Sequence, residues 1–451
     1  MKKSRIGLAL ALCTTLLLSA CSGDSGNQGS ASPTSGGDSQ DAVKLKFWGA
    51  IPEENGPKKV VDNWNAANPD IQVEYTRFVN DEAGNTKLET ALLANGEIDV
   101  FINYGMDKLV KRIQAGMAEP LDAYIAGDNF DVKDHFGDNA IVKMEDQTYY
   151  IPAIILNDFV SINKSMLEEA NLPIPQEWTW DDYVSYASQL TKGEGNNKVW
   201  GSYVNGAQPK IFEYMEKAVK TELGANALYN SDGASNFDHP AFKKYLDILH
   251  QMENIDKSQP PYAEAKMSKM EGSRMFLSGQ VAMNWVGTAS LRDIKNLESF
   301  PHDFVTAFAP PPKMTESSAY VGGGTGYLDY VTINSKSRHK EAAWKFLKWY
   351  VTEGNEPMIA GGRVPAWKHA DQDKVAELIL GDHAEKLFDI DSFKSVVFGV
   401  KDFVVDTKFD KYPELQVIAN EEGERALIGD QSTADAAAAM KKRADELLGR
   451  P

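Results

Sequence analysis

The side chains of this 451-residue chain that could do chemistry gather where apolar runs end. Trp48 follows VKLKF, with Glu53 and Asn55 just beyond it. Asn103 and Tyr104 close IDVFI, and Asp107 follows one turn later. Asn157 and Asp158 split two apolar runs, Asn284 and Trp285 are adjacent in AMNWVGT, Gly323 and Gly324 precede another run, and Arg363 lies in GGRVPA. Groups of these types hold a ligand without covalent bonds: ring faces offer flat apolar area, amides and carboxylates satisfy polar atoms, and glycines let backbone come close. Arginine adds a charged fork. The patterns of covalent and metal chemistry are missing. No HExxH, GxSxG or Walker sequence occurs, and the seven histidines are scattered without metal-ligand spacing. GGGTGY lacks the third glycine of a dinucleotide loop and precedes a strand. Neither a metal nor a cofactor is expected.

An alternation of strands and helices positions these groups. Val43, Leu45 and Phe47 alternate with Lys44 and Lys46, a strand period that stops at Trp48-Gly49. Pro57 opens a helix with Val60, Val61, Trp64 and Ala67 on one face, ended by Asn68-Pro69. Ile71, Val73 and Tyr75 alternate again; Leu88, Ala91 and Leu92 mark a helix capped at Asn95-Gly96, and Ile98 to Tyr104 reads as a central parallel strand. Open α/β sheets bind ligands at strand C-terminal ends, which places Asn103, Tyr104 and Asp107 on the ligand side. A second α/β stretch begins near Tyr150. It has a strand-like run Ile151 to Asn163, a capping box at Thr179 and Asp182, a helix start at Asp238-His239-Pro240, and a strand Tyr327 to Ile333 before a further helix. The fold class is α/β, and ~100 to 200 residues per domain makes two folded units the expectation.

The N-terminus follows a different logic. Lys2, Lys3 and Arg5 precede an apolar run, Ile6 to Leu18, with the make-up of an export signal. Its end, Leu18-Ser19-Ala20-Cys21, resembles the lipobox of bacterial lipoproteins. That resemblance implies cleavage after residue 20 and a lipidated Cys21, which would hold the protein to the outer face of the cell membrane. Residues 21–40 are rich in Ser and Gly with no large apolar side chain, a flexible tether spanning ~25 Å. Removing Lys2, Lys3 and Arg5 from 47 basic residues leaves 44 against 65 acidic ones, net −21. Such a surface repels phosphate backbones, so nucleic acid is not an expected partner. Cys13 leaves with the signal, so no intramolecular disulfide can form.

Eight stretches in order carry a wider resemblance: KLKFWG (44–49), VVDNWNAANPDIQVEY (60–75), LETALLANGEIDVFINYG (88–105), the block 149–193 beginning YYIPAIILNDFVSINKS, FLSGQVAMNWVG (276–287), FAPPPK (308–313), EAAWKFLKWYVTEGNEP (341–357) and GGRVPAWK (361–368). Their order resembles the extracellular solute-binding proteins of ABC importers, specifically the family-1 carbohydrate binders that include maltodextrin-binding proteins. The resemblance implies a two-lobe periplasmic-binding-protein-like fold of type II, with a ligand cleft between lobes joined by crossing strands. Lobe one would be 41–157 plus 326–363, and lobe two 158–325 plus 364–451. It also implies a monomer with a carbohydrate ligand and ABC permease subunits as partners.

A sugar has flat C–H faces and a rim of hydroxyls. On that reading Trp48 stacks on a ring or else plugs the sheet end, Glu53 accepts hydroxyl donors, and Asn55 is a candidate in the same loop. Asn157 and Asp158 face the cleft from a crossing strand, since burying them without partners would cost ~1 to 3 kcal/mol, or else form an exposed bulge. Trp285, beside Asn284, resembles the region where the family presents an aromatic residue; a core position is its alternative. Gly323 and Gly324 allow close backbone approach, and Arg363 binds hydroxyls or a carboxylate, or else forms a surface ion pair. Trp367 and Trp200 are weaker site candidates, Trp180, Trp344 and Trp349 are expected in packing, and Trp178 has no assigned place. Two other functions stay open: capture of a non-sugar solute, and a carboxylate glycoside hydrolase, because 65 acidic residues always contain some pair at suitable separation.

Overall fold

The computed structural model describes residues 42–94, 98–204, 211–318, 326–399 and 403–450. The alternation at the start of the chain becomes β1 (Val43–Gly49), with Leu45 and Phe47 buried and Lys44 and Lys46 exposed. Pro57 opens the helix Pro57–Ala67, whose buried face carries Val60 and Trp64. The Asn68 amide ends it by donating to the Trp64 carbonyl (2.9 Å). β2 (Ile71–Arg77) pairs in parallel with β1, setting Val73 opposite Leu45. The next helix, Glu82–Leu93, starts at Asp81, whose carboxylate accepts from the Gly84 N–H. Its expected cap, Asn95-Gly96, lies outside the described residues.

The remaining strands are β3 (Val100–Asn103), β4 (Ile151–Leu156), β5 (Asp158–Asn163), β6 (Trp200–Tyr203), β7 (Val281–Gly287), β8 (Thr306–Ala309), β9 (Gly326–Ile333) and β10 (Val364–Pro365). They form two sheets, a six-stranded one in the order β10-β4-β9-β3-β1-β2 and a four-stranded one in the order β6-β7-β5-β8. The run Ile151 to Asn163 is therefore not one strand. Asn157 divides it, with β4 in the first sheet and β5 in the second. β3 is buried throughout, as a central strand should be, but it is parallel only to β1 and antiparallel to β9. The reason is connectivity: β9 comes back from the second sheet and enters the first from the opposite end.

Each sheet has its own apolar core. Phe47, Trp64, Phe346 and Tyr350 pack on the first, with Phe47 in edge contact with Phe346 and Tyr350 at 5.2 Å. Trp180, Tyr183, Tyr245 and Trp285 pack on one face of the second, and Phe159, Phe308 and Phe393 on the other. The capping box at Thr179 and Asp182 is formed and delivers Trp180 to that core. Trp344 is buried and Trp349 lies against Trp64 at 5.2 Å. Trp178 is buried too, its indole N–H donating to the Pro310 carbonyl (2.6 Å). Among the described residues no helix is long and apolar enough to cross a membrane.

Candidate functional site

The chain passes between the sheets at Asn157. Its Nδ2 donates to the Val397 carbonyl (2.7 Å), and its own carbonyl accepts from the Thr288 N–H (3.1 Å). Asp158 opens β5 and is buried, with Lys217 Nζ 2.7 Å from its carboxylate and Glu213 3.3 Å beyond on the same helix. Burial pushes the Asp158 carboxyl up; Lys217 and the Trp285 indole work against that. A Cβ at Gly287 would come within 3.0 Å of Asp158 Oδ1, so β7 passes close to this carboxylate.

Five of the expected residues are buried in this structure, Trp285 in the core position that was its alternative. Asn157 and Asp158 do lie at the crossing, but they are almost wholly buried: Asp158 faces Lys217, and Asn157 donates through Nδ2 while its Oδ1 has no partner among the described residues. Asn103 is fully buried: its amide accepts from Arg112 (2.7 Å) and donates to Thr332 Oγ1 (3.0 Å) and the Tyr330 carbonyl (3.2 Å). Trp285 is 1 % exposed and belongs to the second sheet's core, between Trp180 and Tyr214. Asn284 lines a void of about 10 Å³ with Ser161 and Ser290, too small for a sugar ring, and its Oδ1 and Nδ2 have no partner among the described residues. Gly323, Gly324 and Cys21 lie outside the described residues.

At the C-terminal edge of the first sheet, several of the expected residues meet. Trp48 is half-buried against a small cluster that includes Phe78, Leu88 and Phe101, with Lys87 Nζ 5.7 Å from its ring, so it partly plugs the sheet end and partly faces outward. Tyr104 accepts from the Ala50 N–H (2.7 Å), and Tyr75 donates to the Ile51 carbonyl (2.8 Å). Gly49 sits between these two phenols, where a Cβ would reach 2.7 Å from the Tyr75 hydroxyl. Arg363 Nε donates to Asp329 (3.3 Å). Asp329 is buried and holds a φ of 50° inside β9, in the left-handed region. Burial pushes its carboxyl up and Arg363 pulls it down. Arg363 thus forms an ion pair, though with a buried partner rather than at the surface. Glu53 and Asn55 are exposed and line a separate groove with Lys58, Lys59 and Gly361. Asp107 is half-buried in the first turn of the helix Met106–Gln114.

A further group of aromatic side chains lies beside the crossing strands. A cavity of about 440 Å³ is walled by Phe136, Ile155, Tyr327, Trp367, Phe398 and Phe403 among others. Phe136, Tyr327 and Phe403 belong to the first sheet's core, whereas Phe398 packs with the second's. Trp367 and Phe398 are half-buried and so present ring surface to the cavity. The segment after Phe403 joins the same two bodies. Phe403 meets Tyr327 at 5.2 Å and Val405 and Phe409 pack on the first core, while Asp406 pairs with Lys220 and accepts from the Asn226 N–H (2.5 Å). Sequence reading gave Trp367 a minor place and missed Tyr327, Phe398, Phe403, Lys217 and Asp329. Only Asp329 left a signal, as a lone charge inside the apolar strand GYLDYVTI.

The model of the bacterial extracellular solute-binding proteins matches residues 50–357. The chain belongs to that family. Among relatives of this solute-binding protein, a binding protein of Brucella abortus (strain 2308) is 25 % identical over 298 residues, covering 65 % of this chain and 68 % of its own. The maltotriose-binding protein of Pyrococcus abyssi is 24 % identical over 298 residues, 65 % of this chain and 59 % of that one. A sugar transporter protein from Rhizobium etli, solved in an open conformation, superposes with a TM-score of 0.74 over 90 % of this chain and 99 % of that chain, at 20 % identity. The fold is thus the two-lobe binding-protein fold, and the family places the chain among extracytoplasmic binding proteins.

Proposed function

We propose that this protein is the substrate-binding lipoprotein of an ABC importer, that it closes on a sugar or oligosaccharide, and that it presents the closed form to permease subunits. One observation carries the reading: an aromatic-lined cavity of about 440 Å³ is walled by strand residues of the first sheet, Ile155, Tyr327 and Val364, and by Val375, Val397 and Phe398 from the core packed on the second, beside the strands that join them, in a member of the solute-binding family. Lobe one is 41–157 plus 326–363, extended by the edge strand β10, and lobe two is the rest of the folded chain. A ligand touching both walls favours the closed state by its differential affinity for it. Trp367 and Phe398 supply ring faces, with Trp48, Tyr104 and Arg363 at the neighbouring sheet edge as further contacts. Cys21 carries the lipid, and the tether after it keeps the body at the membrane.

The test is a thermal-shift and calorimetry screen against mono- and oligosaccharides. A ligand at 100 times its dissociation constant adds ~2.7 kcal/mol to stability. Binding heat with no product is the expected result; turnover of the saccharide, or no stabilisation across the panel, refutes the reading. Separately, Cys21→Ala should release the protein from the membrane fraction, and retention there would refute the anchor.

A further inference from the structure

Beside the cavity the fold assembles a group that sequence spacing does not announce. Asp134 and His135 stand on the short helix Val132–Phe136, while His369 follows β10. The Lys368 N–H donates to the His135 carbonyl (2.8 Å) and fixes the second segment against the first. His135 stacks on Phe130 with ring centroids 4.6 Å apart, His369 meets it edge-on at 5.3 Å, and His369 Nε2 lies 2.9 Å from Asp134 Oδ2. One ligand atom from each of the three lies within 4.8 Å of the other two. Asp134 and His369 are exposed, so an ion can reach them.

We propose that Asp134, His135 and His369 bind a transition-metal ion of the zinc type, in competition with Trp367 for His135. The donor set is two imidazoles and a carboxylate, which suits zinc, cobalt or nickel and not magnesium or calcium. The competition follows from the lone pairs. A neutral imidazole has one nitrogen lone pair able to accept, and on His135 it is Nδ1, which takes the Trp367 indole N–H at 3.1 Å. A metal bound at Nδ1 displaces the indole directly. A metal bound at Nε2 requires the ring proton to move to Nδ1, where it would face the indole N–H donor to donor. Either route breaks the bond to Trp367, and Trp367 is a wall of the cavity beside the crossing strands. Metal occupancy is therefore coupled to the position of a cavity residue. The site does not depend on the solute-binding reading.

The experiment is titration of the intact, untagged, chelator-stripped protein with zinc chloride, followed by calorimetry and tryptophan emission. Saturable one-to-one binding is expected, with an emission change that Trp367→Phe lacks. His369→Ala and Asp134→Asn, both at exposed positions, should each weaken zinc binding by about tenfold or more. Trp367→Phe should tighten it severalfold, the worth of a released hydrogen bond. No saturable binding, or zinc affinity indifferent to His369→Ala, overturns the site. Unchanged or weaker affinity in folded Trp367→Phe, or unchanged tryptophan emission in the zinc-loaded parent, overturns the competition.

Discussion

Each sheet contributes one buried carboxylate near the crossing, and the two are held differently. Asp158, on the second sheet, has Lys217 at 2.7 Å, with Glu213 sharing the ammonium and Trp285 alongside. Asp329, on the first, has one guanidinium nitrogen at 3.3 Å and a left-handed backbone. Burial pushes both carboxyls up and each has one cation opposing it. The tighter pair lies at the start of β5, where the chain leaves the crossing. The looser one sits where β9 meets Arg363, next to the segment Gly361-Gly362 that approaches both Asn55 and Thr288.

The largest effect should come from Lys217→Met, which strands a buried carboxylate and should cost about 3 to 5 kcal/mol in urea unfolding at pH 7. Adding Asp158→Asn should restore most of the loss; failure to restore it would show that Lys217 acts through packing. Next is Glu253, a third buried carboxylate, which accepts from Gln259 Nε2 and the Tyr262 N–H and has its pKa pushed up to about 7 by burial. Its folded pKa exceeds its unfolded one, so its contribution is intact below about pH 4.5 and is lost as pH rises toward 7. The span is about 3 kcal/mol. Glu253→Gln should flatten stability against pH in that window, and an unchanged slope would assign the dependence elsewhere. Arg363→Met should cost less than Lys217→Met, about 1 to 3 kcal/mol. Equal losses would abolish the contrast between the two pairs. The smallest effect is on binding: Trp367→Ala should weaken a cavity-bound sugar up to about tenfold, the worth of one stacked ring, as read by calorimetry.

The elements were legible because their signals are local. Alternation in Val43–Phe47, the Thr179 and Asp182 box and Pro57 at a helix start depend on neighbours a few residues away, and each formed as expected. The candidate site was legible only in part. Asn103 and Asn157 look alike as polar residues at strand ends, yet what removes them from a ligand's reach is Arg112 from a neighbouring helix in one case and a carbonyl 240 residues away in the other. Trp285 and Trp367 both follow apolar or glycine-rich runs, and only their neighbours in space separate core from cavity wall.

The sequence by itself determined the α/β class, the helix and strand starts and the order of segments that marks the family, because periodicity and capping act within a turn or two. The tertiary structure alone decided which polar groups are already satisfied, where aromatic surface stays open, and that two histidines far apart in the chain share a corner with Asp134. Those outcomes depend on burial and on partners brought together from distant segments, and no spacing along the chain encodes either.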